Sequence, residues 1–251
     1  DLRQAIAQSV NVYFYTVGGG YKDQVGLGPT RIKKYLELFG WGENTGIDLP
    51  GEAKGLLPSP EWKVKTKKEN WWDGDTYHLS IGQGDIAVTP LQVVTSFAAI
   101  ANGGKLLKPQ LVQKIIEGSA ISPKIVKEIK PEVIRENFIE PENLQIVREG
   151  MRQAVSSPEG SSYLLNSLPV KVAAKTGTAE TGKEGYYHTW ITVFAPYSEI
   201  PSQTGRQSGA LNRPYEDSQI VLTIVIENVQ GLSQLTVLPA AKEILEWYFS
   251  K

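Results

Sequence analysis

The chain has no cysteine among its 251 residues. That excludes a disulfide framework and any metal site built on thiolates. The two histidines, His78 and His188, lie too far apart in the sequence to give a metal-ligand spacing. No apolar run is long enough to span a membrane. A net charge of −1 provides no basic field for nucleic acid. The absences therefore predict no metal and no nucleic-acid partner.

What is present is an ordinary globular balance, with 41% hydrophobic and 21% charged residues in a chain long enough for one domain or two. Gly26 and Gly28 do not make a dinucleotide loop, because the third glycine and the framing strand–helix unit are missing, and we expect no cofactor. The chain opens with Asp1, and its first residues already follow helical spacing. We therefore expect a C-terminal piece of a longer protein.

The most informative stretch runs from Val170 to Glu180. Its apolar and polar residues alternate with the period of a strand. Continued alternation predicts the hydroxyls of Thr176 and Thr178 on one face, with Gly177 leaving the backbone uncovered between them. Lys175 adds a cation. Such a set can hold a carboxylate and stabilise an oxyanion, although an edge strand that merely ends in Lys-Thr-Gly-Thr is an alternative.

The rest of the pattern mixes helices and strands, which indicates an α+β fold with one antiparallel sheet and a helix laid across it. Thr89 and Pro90 predict the start of a buried helix. Residues 118–131 predict a hairpin, and residues 41–72 an irregular surface segment. Residues 197–217 predict a long loop. The last strand, residues 219–227, is apolar on both faces and should be interior. Helices are predicted at 1–8, 29–39, 89–101, 144–155 and 239–249, and the other strands at 106–117, 170–178 and 189–195.

A second motif lies far upstream, where Ser9-Val10-Asn11 reads Ser-x-Asn. Together with Lys-Thr-Gly at residues 175–177, it supplies two of the three motifs of penicillin-binding serine acyltransferases. The chain resembles the transpeptidase domain of a class B penicillin-binding protein of the elongation type. The resemblance covers nearly all of the chain and is carried by SVNVYFY, TGIDLPGE, GLLPSPEWK, SIGQGDIAVTPLQ, AAIANGG, KTGTAE and the strand pair TWITVFAP and IVLTIVIEN.

The resemblance implies a penicillin-binding/β-lactamase-like fold, an antiparallel sheet flanked by helices beside a helical lobe, with the site in the cleft between them. It assigns residues 1–165 mainly to the helical lobe with its loops and residues 166–251 to sheet strands and the closing helix. It implies peptidoglycan D,D-transpeptidase activity, with stem peptides and β-lactams as ligands. It also implies a glycosyltransferase or elongation-complex partner, and a place outside the cytoplasmic membrane on an N-terminal anchor.

The site residues follow from the same resemblance. Ser9 is the expected proton shuttle, and Asn11 is expected to bond a substrate amide or the missing lysine. The cation of Lys175 is expected near Ser9, across a groove open to a peptide. The expected substrate-binding residues are Thr176, Gly177 and Thr178. Structural roles are expected for three further residues: Gln83 shapes the cleft floor, His188 lies near the site, and the Glu180 carboxylate is solvated.

One departure leaves alternatives open. No serine in the chain begins a Ser-x-x-Lys motif, so the nucleophile is absent and the piece alone should not acylate. A non-catalytic scaffold or sensor module also fits this absence. Within the fold, a D,D-carboxypeptidase or β-lactamase remains an alternative. The early strands of the family fold are expected to be absent as well, together with the nucleophile.

Overall fold

The computed structural model describes residues 1–119, 122–199, 218–231 and 236–251. None of the helices in these ranges is long and apolar enough to cross a membrane. The helices are α1 Leu2–Gln8, α2 Asn11–Gly19, α3 Gly28–Leu38, α4 Pro60–Lys67, α5 Asp73–Ser80, α6 Pro90–Ala101, α7 Pro141–Ser156 and α8 Val237–Phe249, with a 3-10 helix at Tyr163–Ser167. The strands are β1 Leu106–Leu107, β2 Lys114–Ser119, β3 Ser122–Glu128, β4 Val133–Arg135, β5 Ala173–Glu180, β6 Tyr186–Ala195 and β7 Ile220–Gln230.

The main sheet of the described residues is antiparallel, in the order β5-β6-β7. Apolar side chains on both of its faces are buried under helices. On one face, Ala174, Ile191 and Val193 pack into a core with α8 and the 3-10 helix. On the other, Ala173 and Phe194 pack against α1, α6 and α7. The sheet is therefore the centre of a three-layer sandwich, as the α+β prediction required.

A separate group of helices stands beside this sandwich. Helices α2, α3 and α5 pack on one another. Close approach explains why two glycines lie at the end of α2: a Cβ on Gly18 would stand 1.8 Å from the hydroxyl of Ser80, and one on Gly19 would overlap the ring of Tyr77. These contacts fix α2 against α5, and therefore the chain that leads from α1 into α2.

The predicted start of α6 is confirmed. Thr89 accepts a hydrogen bond from the backbone N–H of Gln92, and the Gln92 carboxamide accepts one from the backbone N–H of Thr89. Pro90 occupies the first helical turn, where its missing N–H costs nothing. A hairpin is present as predicted, but it is shifted: β2 and β3 pair antiparallel from Lys114↔Glu128 to Ser119↔Ser122. The strand predicted at 106–117 is therefore not continuous, and its residues are divided between β1 and β2.

Two sequence expectations need correction. The segment predicted as irregular, residues 41–72, contains α4, which begins where Ser59 caps the N–H of Trp62 and Pro60 follows. The last strand, β7, lies at the edge of the described sheet and not in its interior; it is apolar on both faces because helices cover both. The β-branched and aromatic run of residues 12–17 is helical, in α2. The predicted loop of residues 197–217 lies mostly outside the described residues.

Arg148 on α7 ties the elements on one face of the sheet together. Its side chain is fully buried. The guanidinium donates to the carbonyls of Ile100 and Ala101 at the end of α6, at 2.8 and 2.5 Å, and to the carbonyl of Ser198 at 2.7 Å. It also lies 4.9 Å from the ring centroid of Phe194. A cation at the carbonyl end of a helix is favourable, and this one side chain donates to three backbone carbonyls.

We expect Arg148→Met to lower the free energy of unfolding by about 3 kcal/mol or more, because it leaves buried carbonyls without their charged donor. Urea and thermal unfolding measure the change. Arg31→Met is the control: Arg31 also donates to backbone carbonyls but is exposed, and its loss should cost less than about 1 kcal/mol. Equal effects of the two substitutions would contradict the tying role of Arg148.

Candidate active site

The residues that the sequence singled out at opposite ends of the chain meet in the structure. Nζ of Lys175, on β5, donates to Oγ of Ser9, at the end of α1, at 2.7 Å. This confirms the predicted proximity of the two groups. The contact connects the segment between α1 and α2 to the strand that carries Lys-Thr-Gly-Thr.

Ser9 has an unusual backbone. Its φ and ψ of 55° and 52° lie in the left-handed region, which a residue with a Cβ enters at an energetic cost. The neighbouring bonds fix this conformation, since the N–H of Ser9 donates to Ile6 and that of Val10 donates to Ala5. The result is a helix end that turns the Ser9 hydroxyl toward β5.

The Lys175 ammonium is largely shielded from solvent, and its hydrogen-bond partners are polar but uncharged. Besides Ser9, its ammonium donates to the carbonyl of Thr176 at 2.6 Å, and it forms no salt bridge with any residue in the described ranges. Burial disfavours the charged form and lowers the pKa of Lys175 to about 8. A partly buried cation with no carboxylate partner in the described ranges is an electrostatic site that an anionic ligand would complete.

The free edge of β5 borders this cation. The carbonyl of Thr178 accepts a hydrogen bond from the Gln83 side chain, and the N–H of Glu180 donates one to it. Both backbone groups therefore point away from β6. The N–H and C=O of one strand residue point to the same side, and the N–H of Thr178 therefore also lies on the free edge. It is a backbone donor near Lys175, in the place where an oxyanion donor is expected.

The side chains of the motif divide between the two faces of the sheet. Lys175 and Gly177 lie opposite Thr192 and Trp190 of β6, on the α6 face. Thr176 and Thr178 share the other face, as predicted, but it is not the face of Lys175. The cation and the hydroxyls can therefore meet one ligand only along the strand edge. The hydroxyl of Thr176 is buried and has no hydrogen-bond partner among the described residues.

A cavity of about 470 Å³ opens on the α6 face of β5. Its sheet side is lined by Lys175, Gly177, Trp190 and His188, and the side opposite by residues 81–84 and 86–88. Gly177 has no side chain and lines the cavity, so it leaves the strand backbone uncovered at this position. The cavity lies beside Lys175, but Ser9 does not line it, so a groove bordered by both groups stays a prediction.

Of the predicted site residues, Asn11 makes the fewest contacts, and His188, expected only near the site, does border it. Asn11 is the first residue of α2 and is exposed, and its side chain makes no hydrogen bond with the part of the chain that the structure describes. His188 lines the cavity, where its Nδ1 accepts from the N–H of Asn228 at 3.3 Å. Within the described ranges, no group of three or more His, Asp or Glu side chains could hold a metal ion.

A sheet flanked by helices, a helical lobe beside it, and a Ser–Lys pair at the free edge of a Lys-Thr-Gly-Thr strand define the class of penicillin-binding serine acyltransferase folds. The family model for the penicillin binding protein transpeptidase domain matches residues 1–203. The chain belongs to this family. The fold class and the family resemblance that the motifs indicated are both confirmed.

Two relatives of the chain are peptidoglycan D,D-transpeptidases. The chain is 30% identical over 252 residues to the peptidoglycan D,D-transpeptidase MrdA of Salmonella typhimurium, which covers 99% of the chain and 38% of that protein. With MrdA of Haemophilus influenzae it shares 29% identity over 266 residues, covering 100% of the chain and 36% of the relative. The chain therefore spans well under half the length of these relatives.

Solved structures agree. Penicillin-binding protein 2 of Pseudomonas aeruginosa, in complex with WCK 5153, superposes with a TM-score of 0.76 at 28% identity, over 100% of this chain and 48% of that one. Penicillin-binding protein 2 of Helicobacter pylori, in complex with MreC, gives a TM-score of 0.72 at 30% identity, over 99% and 40% of the two chains.

Proposed function

We propose that the chain is part of the transpeptidase domain of a peptidoglycan D,D-transpeptidase that cross-links stem peptides by serine acyl transfer and is trapped by β-lactams. The observation that carries the proposal is the 2.7 Å contact between Ser9 Oγ and Lys175 Nζ, beside the free edge of β5. The nucleophile is a serine in a Ser-x-x-Lys segment outside residues 1–251. By "intact protein" we mean this chain together with that segment.

In the proposed reaction, the nucleophilic serine attacks the carbonyl of the penultimate D-alanine, and its proton passes to the nitrogen of the leaving D-alanine. Ser9 relays this proton, because a hydroxyl can accept and donate at once. Lys175 keeps a positive charge beside the relay. The amine of a second stem peptide then attacks the acyl-enzyme and releases the serine. The Asn11 carboxamide, which has no hydrogen-bond partner among the described residues, binds the substrate amide or the lysine of the missing motif.

The strand edge binds the ligand in this scheme. The Thr178 N–H provides half of the oxyanion hole, and the N–H of the nucleophilic serine provides the other half. The hydroxyls of Thr176 and Thr178, together with Lys175, bind the terminal carboxylate. Gly177 lets the peptide approach the strand. The unpartnered hydroxyl of Thr176 supports this assignment, since a buried hydroxyl without a partner is costly unless a ligand completes it.

Covalent labelling by a fluorescent penicillin tests the proposal. We expect the intact protein to be labelled at one serine, and prior incubation with unlabelled penicillin to prevent the labelling. Absence of a covalent adduct would favour the scaffold or sensor alternative. Rapid turnover of nitrocefin, or release of D-alanine without cross-linked product, would indicate instead a β-lactamase or a D,D-carboxypeptidase of the same fold.

The alkaline limb of the pH–rate profile gives a further prediction. With a Lys175 pKa of about 8, the cationic fraction falls from about 90% at pH 7 to about 10% at pH 9. We therefore expect the second-order acylation rate constant of the intact protein to fall with a midpoint near pH 8. Lys175→Arg keeps the charge and should move this limb above pH 10, even if the rate is lower. An unchanged alkaline limb in this variant would show that another group titrates.

We also propose the division suggested by the sequence, a mainly helical lobe with loops in residues 1–165 and sheet strands with the closing helix in residues 166–251, with α1, α6 and α7 of the first part covering one face of the sheet. The relative in complex with MreC and a similar chain from a peptidoglycan synthase complex that coordinates polymerization and crosslinking support a glycosyltransferase or elongation-complex partner for the intact protein. Such a protein works on the outer face of the bacterial cytoplasmic membrane, anchored by a helix outside this chain.

A further inference from the structure

The side chain of Gln83 pairs with the free edge of β5 as a neighbouring strand would. Its Nε2 donates to the carbonyl of Thr178 at 2.8 Å, and its Oε1 accepts from the N–H of Glu180 at 3.2 Å. One carboxamide therefore satisfies two consecutive edge groups of β5. Both ends of the amide are used, which fixes its orientation.

The helical lobe holds Gln83 in this place. Its backbone N–H donates to the carbonyl of His78 at the end of α5, at 2.9 Å. Gly82 and Gly84 on either side have φ values of +72° and +83°, which L side chains rarely adopt. These two glycines turn the chain sharply, so the Gln83 side chain leaves the lobe and reaches β5.

Two N–H groups on the edge of β5 are candidates for binding a ligand carbonyl. Thr178 and Glu180 both present their N–H to the free edge, two residues or about 7 Å apart. A ligand carbonyl can bind at the Thr178 N–H in a first register, or at the Glu180 N–H in a second. A peptide that moves by two residues from the first to the second keeps its side chains on the same faces, so the alternation of its side chains does not exclude the second register. Only the first register places the ligand carbonyl at the donor nearer Lys175 and Ser9.

We propose that Gln83 is a positioning residue that closes the edge of β5 beyond Thr178 and so fixes the register of the bound stem peptide or β-lactam. The proposal rests on the proposed function. The Gln83 carboxamide occupies the Glu180 N–H, which leaves the Thr178 N–H as the last free donor on the edge. The reacting carbonyl then binds at Thr178 and nowhere further along the strand.

Gln83→Met in the intact protein tests this, because methionine keeps the length and bulk but neither hydrogen bond. We expect the first-order acylation constant for a penicillin to fall about tenfold while the non-covalent dissociation constant changes less than twofold, since the ligand still binds but partly in the slipped register. The amide hydrogen of Glu180 should exchange at least tenfold faster. A wild-type acylation constant, or unchanged exchange at Glu180, would overturn the proposal.

Gln92→Met is the matched control. Gln92 is buried, and its carboxamide donates to the carbonyls of Glu43 and Lys54, away from β5. Its substitution should lower the thermal midpoint but leave the acylation constant unchanged. An equal loss of acylation in Gln92→Met would reduce the role of Gln83 to general stability and overturn the proposal. Failure of the unsubstituted protein to label at all would instead defeat the proposed function, and the register proposal with it.

Discussion

Lys175→Ala in the intact protein is expected to slow acylation by a fluorescent penicillin by about 10²- to 10³-fold. The size follows from removing one preorganised group from a desolvated acyl-transfer site. Two roles are lost together: the charge beside the Ser9 hydroxyl, and the attraction for the ligand carboxylate. We therefore expect weaker non-covalent binding and a lower acylation constant, measured separately from the concentration dependence of labelling.

Lys171→Ala is the control for charge alone. Lys171 precedes the same strand but is exposed, so its loss should change labelling less than twofold. Equal losses of labelling in the two variants would show that labelling depends on the net charge of the protein and not on the position of Lys175 in the site.

The stability of Lys175 variants should change in the opposite direction to their activity. The folded-state pKa of about 8 lies below the usual value of 10.5, so the unfolded state binds more protons between these pH values and stability rises with pH across them. At pH 7 the buried cation is therefore a cost. Lys175→Met should raise the thermal midpoint at pH 7 while it abolishes rapid labelling, which separates a functional residue from a structural one.

Ser9→Gly is expected to slow acylation by about 10²-fold or more without destabilising the fold. The hydroxyl that relays the proton is lost, and general acid–base catalysis contributes on this scale. The backbone, however, sits at a φ of 55°, where glycine is not strained. Ser9→Ala loses the same hydroxyl and keeps the strain, so it should match Ser9→Gly in labelling and have the lower thermal midpoint.

Asn137→Gly controls for the backbone effect in that comparison. Asn137 is exposed and also has a positive φ, 57°, but it lies far along the chain from the site. We expect its substitution to leave labelling unchanged. Labelling at the wild-type rate in both Ser9 variants would remove Ser9 from the mechanism, whatever their stability.

The sequence was sufficient where a local signal agreed with the tertiary structure. Thr89-Pro90 predicted the start of α6, because capping and a proline in the first turn are decided by neighbours in the chain. The meeting of Ser9 and Lys175 could not be read from local signals. It came from the pairing of two motifs that share one chemistry.

Local propensity does not determine the structure where tertiary packing competes with it. The β-branched and aromatic residues 12–17 favour a strand by propensity, yet they form α2, because that helix packs closely against α5. Alternation correctly put Thr176 and Thr178 on one face, but a strand period also puts Lys175 on the other, so the site had to be at the edge. The edge contact of Gln83 was missed; its only local signal was the pair of flanking glycines.

The most direct test of the account is the structure of the intact protein acylated by a penicillin. We predict the acyl carbonyl oxygen about 3 Å from the backbone nitrogen of Thr178, the ligand carboxylate beside the Thr176 and Thr178 hydroxyls, and Ser9 and Lys175 still in contact next to the ester. An acyl group whose carbonyl oxygen points away from the Thr178 N–H, with Ser9 and Lys175 more than a hydrogen bond from each other and from the ligand, would contradict it.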